Sequence, residues 1–229
     1  MLLKTLLLSL SITVLEAGAG VPLVPASSFP ELDAAGTLTV VTDASGDDGV
    51  GGWARMGGDD TLYLVSEPWP PGIAAALRRG SSKRARRDDG PTLSMPAAEA
   101  FGARAVAAAV NRVNLAPRAV VAVTDCKPAG AVLGGATSPN AQMRSVARVG
   151  AGLTKLWLGV HVMRELNLDA DRLSHPGLFD EVRRDAQRAW PHVVRLGIHP
   201  DEWQALQAAA AGGSGADQTA AQPATARLL

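Results

Sequence analysis

Short apolar runs and longer amphipathic ones alternate along this chain, separated by clusters of turn-forming residues. TLTVVTD (37–43), VGGWARM (50–56) and TLYLVS (61–66) are short and rich in Val, Leu, Thr and aromatic residues, so each reads as a strand. The GDDG and GGDD between them are tight-turn sequences, which predicts an antiparallel meander. RAVVAVTD (118–125) and WLGVHV (157–162) are continuous apolar runs of the kind found in strands covered on both faces. From Pro96 the chain reads AAEAFGARAVAAAVNRV, an alanine-rich helix with apolar residues recurring along one side. KPAGAVLGG predicts a short helix, NAQMRSVARVGAGLTKL (140–156) a longer amphipathic one, and LNLDADRLSHP a helix start. Two further helical patterns cover 178–190 and 200–210. The order β-β-β-α-β-α-β-α predicts an α/β fold: a mixed five-stranded sheet, three antiparallel strands followed by alternating helix and strand, with helices on its faces.

This pattern divides the chain. Residues 1–36 hold an apolar run and a linker with three prolines, 37–176 the sheet-bearing domain, 177–210 a helical C-terminal extension, and 211–229 a Gly/Ala/Gln/Thr-rich tail that reads as disordered. Within the domain, 67–93 reads as a long loop carrying the basic cluster KRARR (83–87), a solvated surface or a phosphate contact. The first 20 residues imitate a secretory signal, with a lysine, an apolar run and small residues. That run is shorter than the roughly 20 residues a bilayer span needs, so a membrane anchor is not expected. An intracellular protein is the favoured expectation, and a cleaved signal is the alternative.

Composition narrows the function classes. Twenty-two basic and 22 acidic residues cancel, which excludes a globally basic nucleic-acid binder and leaves local patches open. A single cysteine, Cys126, excludes an internal disulfide.

The chemistry concentrates in carboxylates at the ends of apolar segments. Two buried strands end in VVTD and AVTD, presenting Asp43 and Asp125, and adjacent parallel strands would set the two side by side where α/β sheets gather ligands. Glu99 lies near the start of the alanine-rich helix, and Asp171 lies in the LDADRLS segment beyond the last strand. Converging acids repel one another unless a cation sits among them, and hard oxygen donors suit Mg²⁺. Blander readings stand beside this one: turn residues for the strand-end aspartates, a dipole-complementing charge for Glu99, a core histidine for His161, and Asp169 instead of Asp171 as the ligand. Trp53 reads as core packing, and Asp47 and Asp48 as turn formers.

Three stretches resemble the ribonuclease H family, specifically the domain that follows reverse transcriptase in retroelements. VVTDASGDDGVGGWA is similar to its first hairpin, AVVAVTDCKPAGAVLGG to its fourth strand, and GVHVMRELNLDADRLSHP to its retroelement ending, with six positions from His161 to Asn167 and four from Asn167 to Asp171. Cys126 stands where the family usually has Asn, and the 56 positions from Asp43 to Glu99 are more than usual. The resemblance implies a Mg²⁺-dependent endonuclease cutting the RNA strand of RNA/DNA hybrids with two metal ions, Mn²⁺ being an alternative ion. Asp43, Glu99, Asp125 and Asp171 match its metal ligands, His161 its proton-transfer histidine, and Asn167 the residue that orients the Asp171 segment. Ser45, Gly46, Arg55, Lys127 and Arg144 are candidates for the nucleic-acid contacts. A reverse transcriptase domain of the same element is the implied partner. The alternative is a decayed or domesticated domain that binds nucleic acid or protein without cutting.

Overall fold

Six strands form one mixed sheet in the computed structural model, which describes residues 35–82, 90–113, 116–147 and 156–212. β1 (Thr37–Ala44), β2 (Gly49–Met56) and β3 (Thr61–Pro68) make the antiparallel meander. β4 (Ala119–Thr124) lies parallel to β1, and β5 (Trp157–His161) parallel to β4. The order across the sheet is β5-β4-β1-β2-β3-β6.

The sixth strand corrects the expected count. β6 (His192–Leu196) lies in the segment read as purely helical and pairs parallel with the outer edge of β3. Five residues, mostly exposed and interrupted by Arg195, carry too short a pattern to stand out from the flanking helices. The expected loop at 67–93 is also corrected, because Pro71–Ser81 forms helix α1. Pro71 occupies its first position, where a missing N–H costs nothing, and Ile73, Ala74, Ala76 and Leu77 bury one side. The basic cluster 83–87, the apolar N-terminal run, most of the 140–156 pattern beyond residue 147 and the tail from 213 lie outside the described residues.

Helices cover both faces of the sheet. α2 (Met95–Asn111) crosses β1, β2 and β4, with α3 (Lys127–Leu133) and α4 (Ala141–Val146) beside it. On the opposite face lie α5 (Leu168–Leu173), entered through a 3-10 turn at Arg164–Leu166, and α6 (Phe179–Ala189). Along β1 the sides alternate: Leu38, Val40 and Ala44 join the α2 layer, while Val41 joins Trp53, Leu173 and Phe179 in the α5–α6 layer. Trp53 is therefore a core residue, as expected.

The last helix, α7 (Pro200–Gly212), returns to the α2 layer. Its Leu206, Ala209 and Ala210 are buried in that core. Trp203 meets Phe101 of α2 at 5.3 Å and Trp69 at 5.9 Å between ring centroids. Trp203→Ala is expected to cost about 3 kcal/mol by urea unfolding, as large aromatic deletions in cores do. A change below about 1 kcal/mol would mean that α7 contributes little to this core. Among the described residues, no helix is long and apolar enough to cross a membrane.

Candidate metal centre

Parallel pairing of β1 with β4 aligns Val41 with Val123, and continuing that register by two residues sets Asp43 beside Asp125. Both aspartates have the parity of these valines, which belong to the α5–α6 layer. Glu99 reaches the same point from α2 in the opposite layer, so the three acids meet at the rim where the two layers join. Carboxylate oxygens of Asp43, Glu99 and Asp125 all lie within 4.8 Å of one another.

Two glycines make this approach possible. Gly102, one turn along α2 from Glu99, faces β2, where an added Cβ would stand 2.8 Å from the Val50 Cγ2. The bare backbone there brings the start of α2 down to the sheet. Gly51, paired with Asp43 across the hairpin, lies against the end of α5. An added Cβ would meet the Leu173 carbonyl carbon at 2.0 Å.

α5 is tied to the site at its other end. Asn167 is wholly buried, and its Nδ2 donates to the Thr42 carbonyl oxygen at 3.1 Å, one residue before Asp43. Ser174 is equally buried, and the single proton of its hydroxyl goes either to the Asp171 carbonyl oxygen at 2.8 Å or to the Asp43 carboxylate. Asp171 thus sits on a fixed scaffold beside the triad. Its own carboxylate is not among the three that share the 4.8 Å cluster; it is paired with Arg164 at 3.0 Å.

Burial and mutual repulsion define the electrostatics. Burial first, then the charges of Asp125 and Asp171, push the Asp43 carboxyl from its usual 3.8 up to about 6, with the Ser174 hydrogen bond and Arg164 pulling the other way. Glu99 is driven well above the usual carboxylate range by burial, then by Asp43 and Asp125, against a hydrogen bond from the Ala44 N–H. Its Oε2 is buried with no hydrogen-bond partner. Arg104, the other charge on α2, stacks over Trp157 at 3.6 Å and does not relieve it. A buried carboxylate oxygen without a donor is costly. These donors form an all-oxygen set, partly bare, that could hold a metal ion, and a hard divalent cation suits them.

The pH dependence follows from the sign of the Asp43 displacement. The folded chain holds this proton more tightly than the unfolded chain does, so the contribution is fully present below pH 4 and lost as the pH rises to about 6. Metal-free protein is therefore expected to lose stability across this window, as the difference between wild type and Asp43→Asn in urea unfolding. Saturating divalent cation should recover it at pH 7.5 and do little at pH 4.5, because ligands must be deprotonated to bind. Equal stabilisation at both pH values would contradict the ligand assignment.

The remaining candidates divide sharply. His161 ends β5, exposed at the rim, with Nε2 3.1 Å from the Asp125 carbonyl oxygen. Ser45 and Gly46 form the turn directly after β1, beside Asp43, and Lys127 is exposed at the start of α3 two residues from Asp125. Arg55 is corrected: it is buried, lies 5.5 Å from the Trp190 ring centroid, and pairs with Thr39 at the far end of β1. Arg144 is exposed but committed, donating to the carbonyls of Ser138 and Pro139 at 2.8 Å each. Asp169 pairs with Arg172 at 3.4 Å. Asp48, beyond forming the turn, pairs with His175 at 2.6 Å. Residue types alone do not signal the roles of Arg164 and Ser174, since both act across folded segments. No family model, no curated protein and no solved structure matches this chain.

Proposed function

We propose that this chain is a ribonuclease H-like endonuclease that hydrolyses the RNA strand of RNA/DNA hybrids with Mg²⁺. The observation that carries the reading is the meeting of Asp43, Glu99 and Asp125, drawn from a central strand, a helix and a neighbouring parallel strand, within 4.8 Å of one another. Five of the six strands follow the arrangement that the family resemblance implies, with β6 added on the outer edge. The Asn167 bond to β1 also supports it, in keeping with the orienting role that the resemblance implies for that residue.

Bound divalent ions supply Lewis acidity toward phosphoryl oxygens and a more acidic water. The protein does the rest. Asp43, Glu99 and Asp125 are the ligands, and Asn167 and Ser174 fix the segment that brings Asp171 alongside. His161, exposed at the rim with Nε2 beside the Asp125 carbonyl oxygen, is the proton-transfer histidine that the resemblance implies. Ser45 and Gly46 present small side chains and backbone to the wide minor groove of an A-like duplex, where 2′-hydroxyls distinguish RNA from DNA. Lys127 offers a phosphate contact. The natural setting is an intracellular retroelement product working with a reverse transcriptase domain.

A second reading has specific support: Cys126 in place of Asn and the Arg164–Asp171 pair suit a domain that binds hybrid without cutting. Incubation of purified protein with a labelled hybrid separates the two. Cleavage of the RNA strand in Mg²⁺ and none in EDTA supports the nuclease; binding without cleavage supports the second reading.

A further inference from the structure

Asp171 is the one carboxylate of the four expected ligands with a cation already on it. Arg164 sits seven residues earlier, on the 3-10 turn that leads into the Asn167 anchor, and its Nη2 reaches the Asp171 Oδ1 at 3.0 Å. The turn is pinned on one side by Leu166, which is buried, and by Asn167, which is fully so. The Arg164 side chain is 74% exposed, and that of Asp171 is 27% exposed. The backbone is therefore fixed while the guanidinium stands in water, held by one exposed ion pair of the kind that exchanges easily. A planar guanidinium also matches a phosphodiester as well as it matches a carboxylate.

We infer that Arg164 has two positions: it is the resting counter-ion of Asp171, and it moves to a backbone phosphate of the substrate, which frees Asp171 to complete a second cation site. This deepens the nuclease reading and rests on it. Arg164 is also the cation whose charge is felt at both Asp43 and Glu99, so its departure leaves the rim more negative and more receptive to a divalent ion. Substrate then assembles its own second cation site, and free protein keeps to one tight ion.

The test is Mn²⁺ binding to metal-free protein, followed by calorimetry and by the electron paramagnetic resonance of free Mn²⁺. Wild type, Arg164→Gln, Arg164→Lys and Asp43→Asn are compared without nucleic acid. Arg164→Gln is expected to tighten the second ion about tenfold, the scale of removing one charge near a surface site, and to tighten the first by a smaller factor. Arg164→Lys should stay close to wild type. A hybrid whose RNA strand is 2′-O-methylated should tighten the second ion in wild type, lose that effect in Arg164→Gln, and bind that variant more weakly. An unchanged second affinity in Arg164→Gln overturns the proposal. Absence of any Mn²⁺ binding that Asp43→Asn removes overturns the metal-centre reading itself, and Arg164 with it.

Discussion

Asp43→Asn is expected to lower Mg²⁺-dependent cleavage of hybrid at least about a thousandfold, since the central ligand loses its charge. The same change should stabilise the metal-free protein. In the absence of an ion, the folded chain either protonates Asp43 or bears a buried carboxylate beside Asp125, and the rise from 3.8 to about 6 corresponds to an upper bound of roughly 3 kcal/mol at neutral pH. Asparagine keeps the shape and the Ser174 contact without that charge. The expected gain is therefore about 1–3 kcal/mol in EDTA at pH 7.5, fading to little at pH 4, where aspartate is protonated as well. Urea unfolding at the two pH values measures it. A variant that cuts at the wild-type rate, or that is no more stable than wild type in EDTA at pH 7.5, would defeat the assignment. The opposed outcomes matter because a merely structural aspartate would lose stability and gain nothing.

Gly51→Ala is the second large expectation, and it tests the scaffold instead of the ligands. The new methyl group would stand 2.0 Å from the Leu173 carbonyl carbon and 2.4 Å from the Ser174 nitrogen, both backbone atoms at the end of α5. No rotamer change relieves a clash with backbone, so either β2 or α5 must shift. Such overpacking costs about 1–3 kcal/mol or more. The shift should also loosen the Asn167–Thr42 bond and the Ser66 hydroxyl's bond to the Leu173 carbonyl, at 2.6 Å. Activity should then fall further than the loss of folded protein explains, and a crystal structure of the variant should show α5 displaced. A fully stable, fully active Gly51→Ala would mean that α5 does not rest on this strand.

Legibility differed by element for physical reasons. β1 and β4 are legible because strands covered on both faces carry buried runs of β-forming residues, TLTVV and AVVAV, against which their terminal aspartates stand out. Glu99 was legible as one of only two charges in a long alanine-rich helix. β6 was not, since an edge strand needs no continuous apolar run and HVVRL alternates too briefly to declare itself. α1 is masked in the sequence by EPWPP and GSSKRARR, whose breakers and charges outweigh the short apolar pattern of Ile73, Ala74, Ala76 and Leu77. Arg55 has the residue type of a phosphate contact, but the hairpin register sets it opposite Thr39, away from the Asp43 end of β1. The grip of Arg164 on Asp171 depends on how a 3-10 turn meets a helix, and no spacing rule encodes that.

The neighbour relation of β1 and β4 also has a kinetic meaning. The meander β1–β2–β3 is made from contacts close along the chain and contains Asp43 as its one member of the acidic triad. Asp125 arrives only when β4, about 80 residues onward, closes against β1, a long-range step of the sort that is intrinsically slow. Electrostatic resistance to folding is thus concentrated in the docking of α2 with Glu99 and the closing of β4 with Asp125, and the hairpins can organise before meeting it.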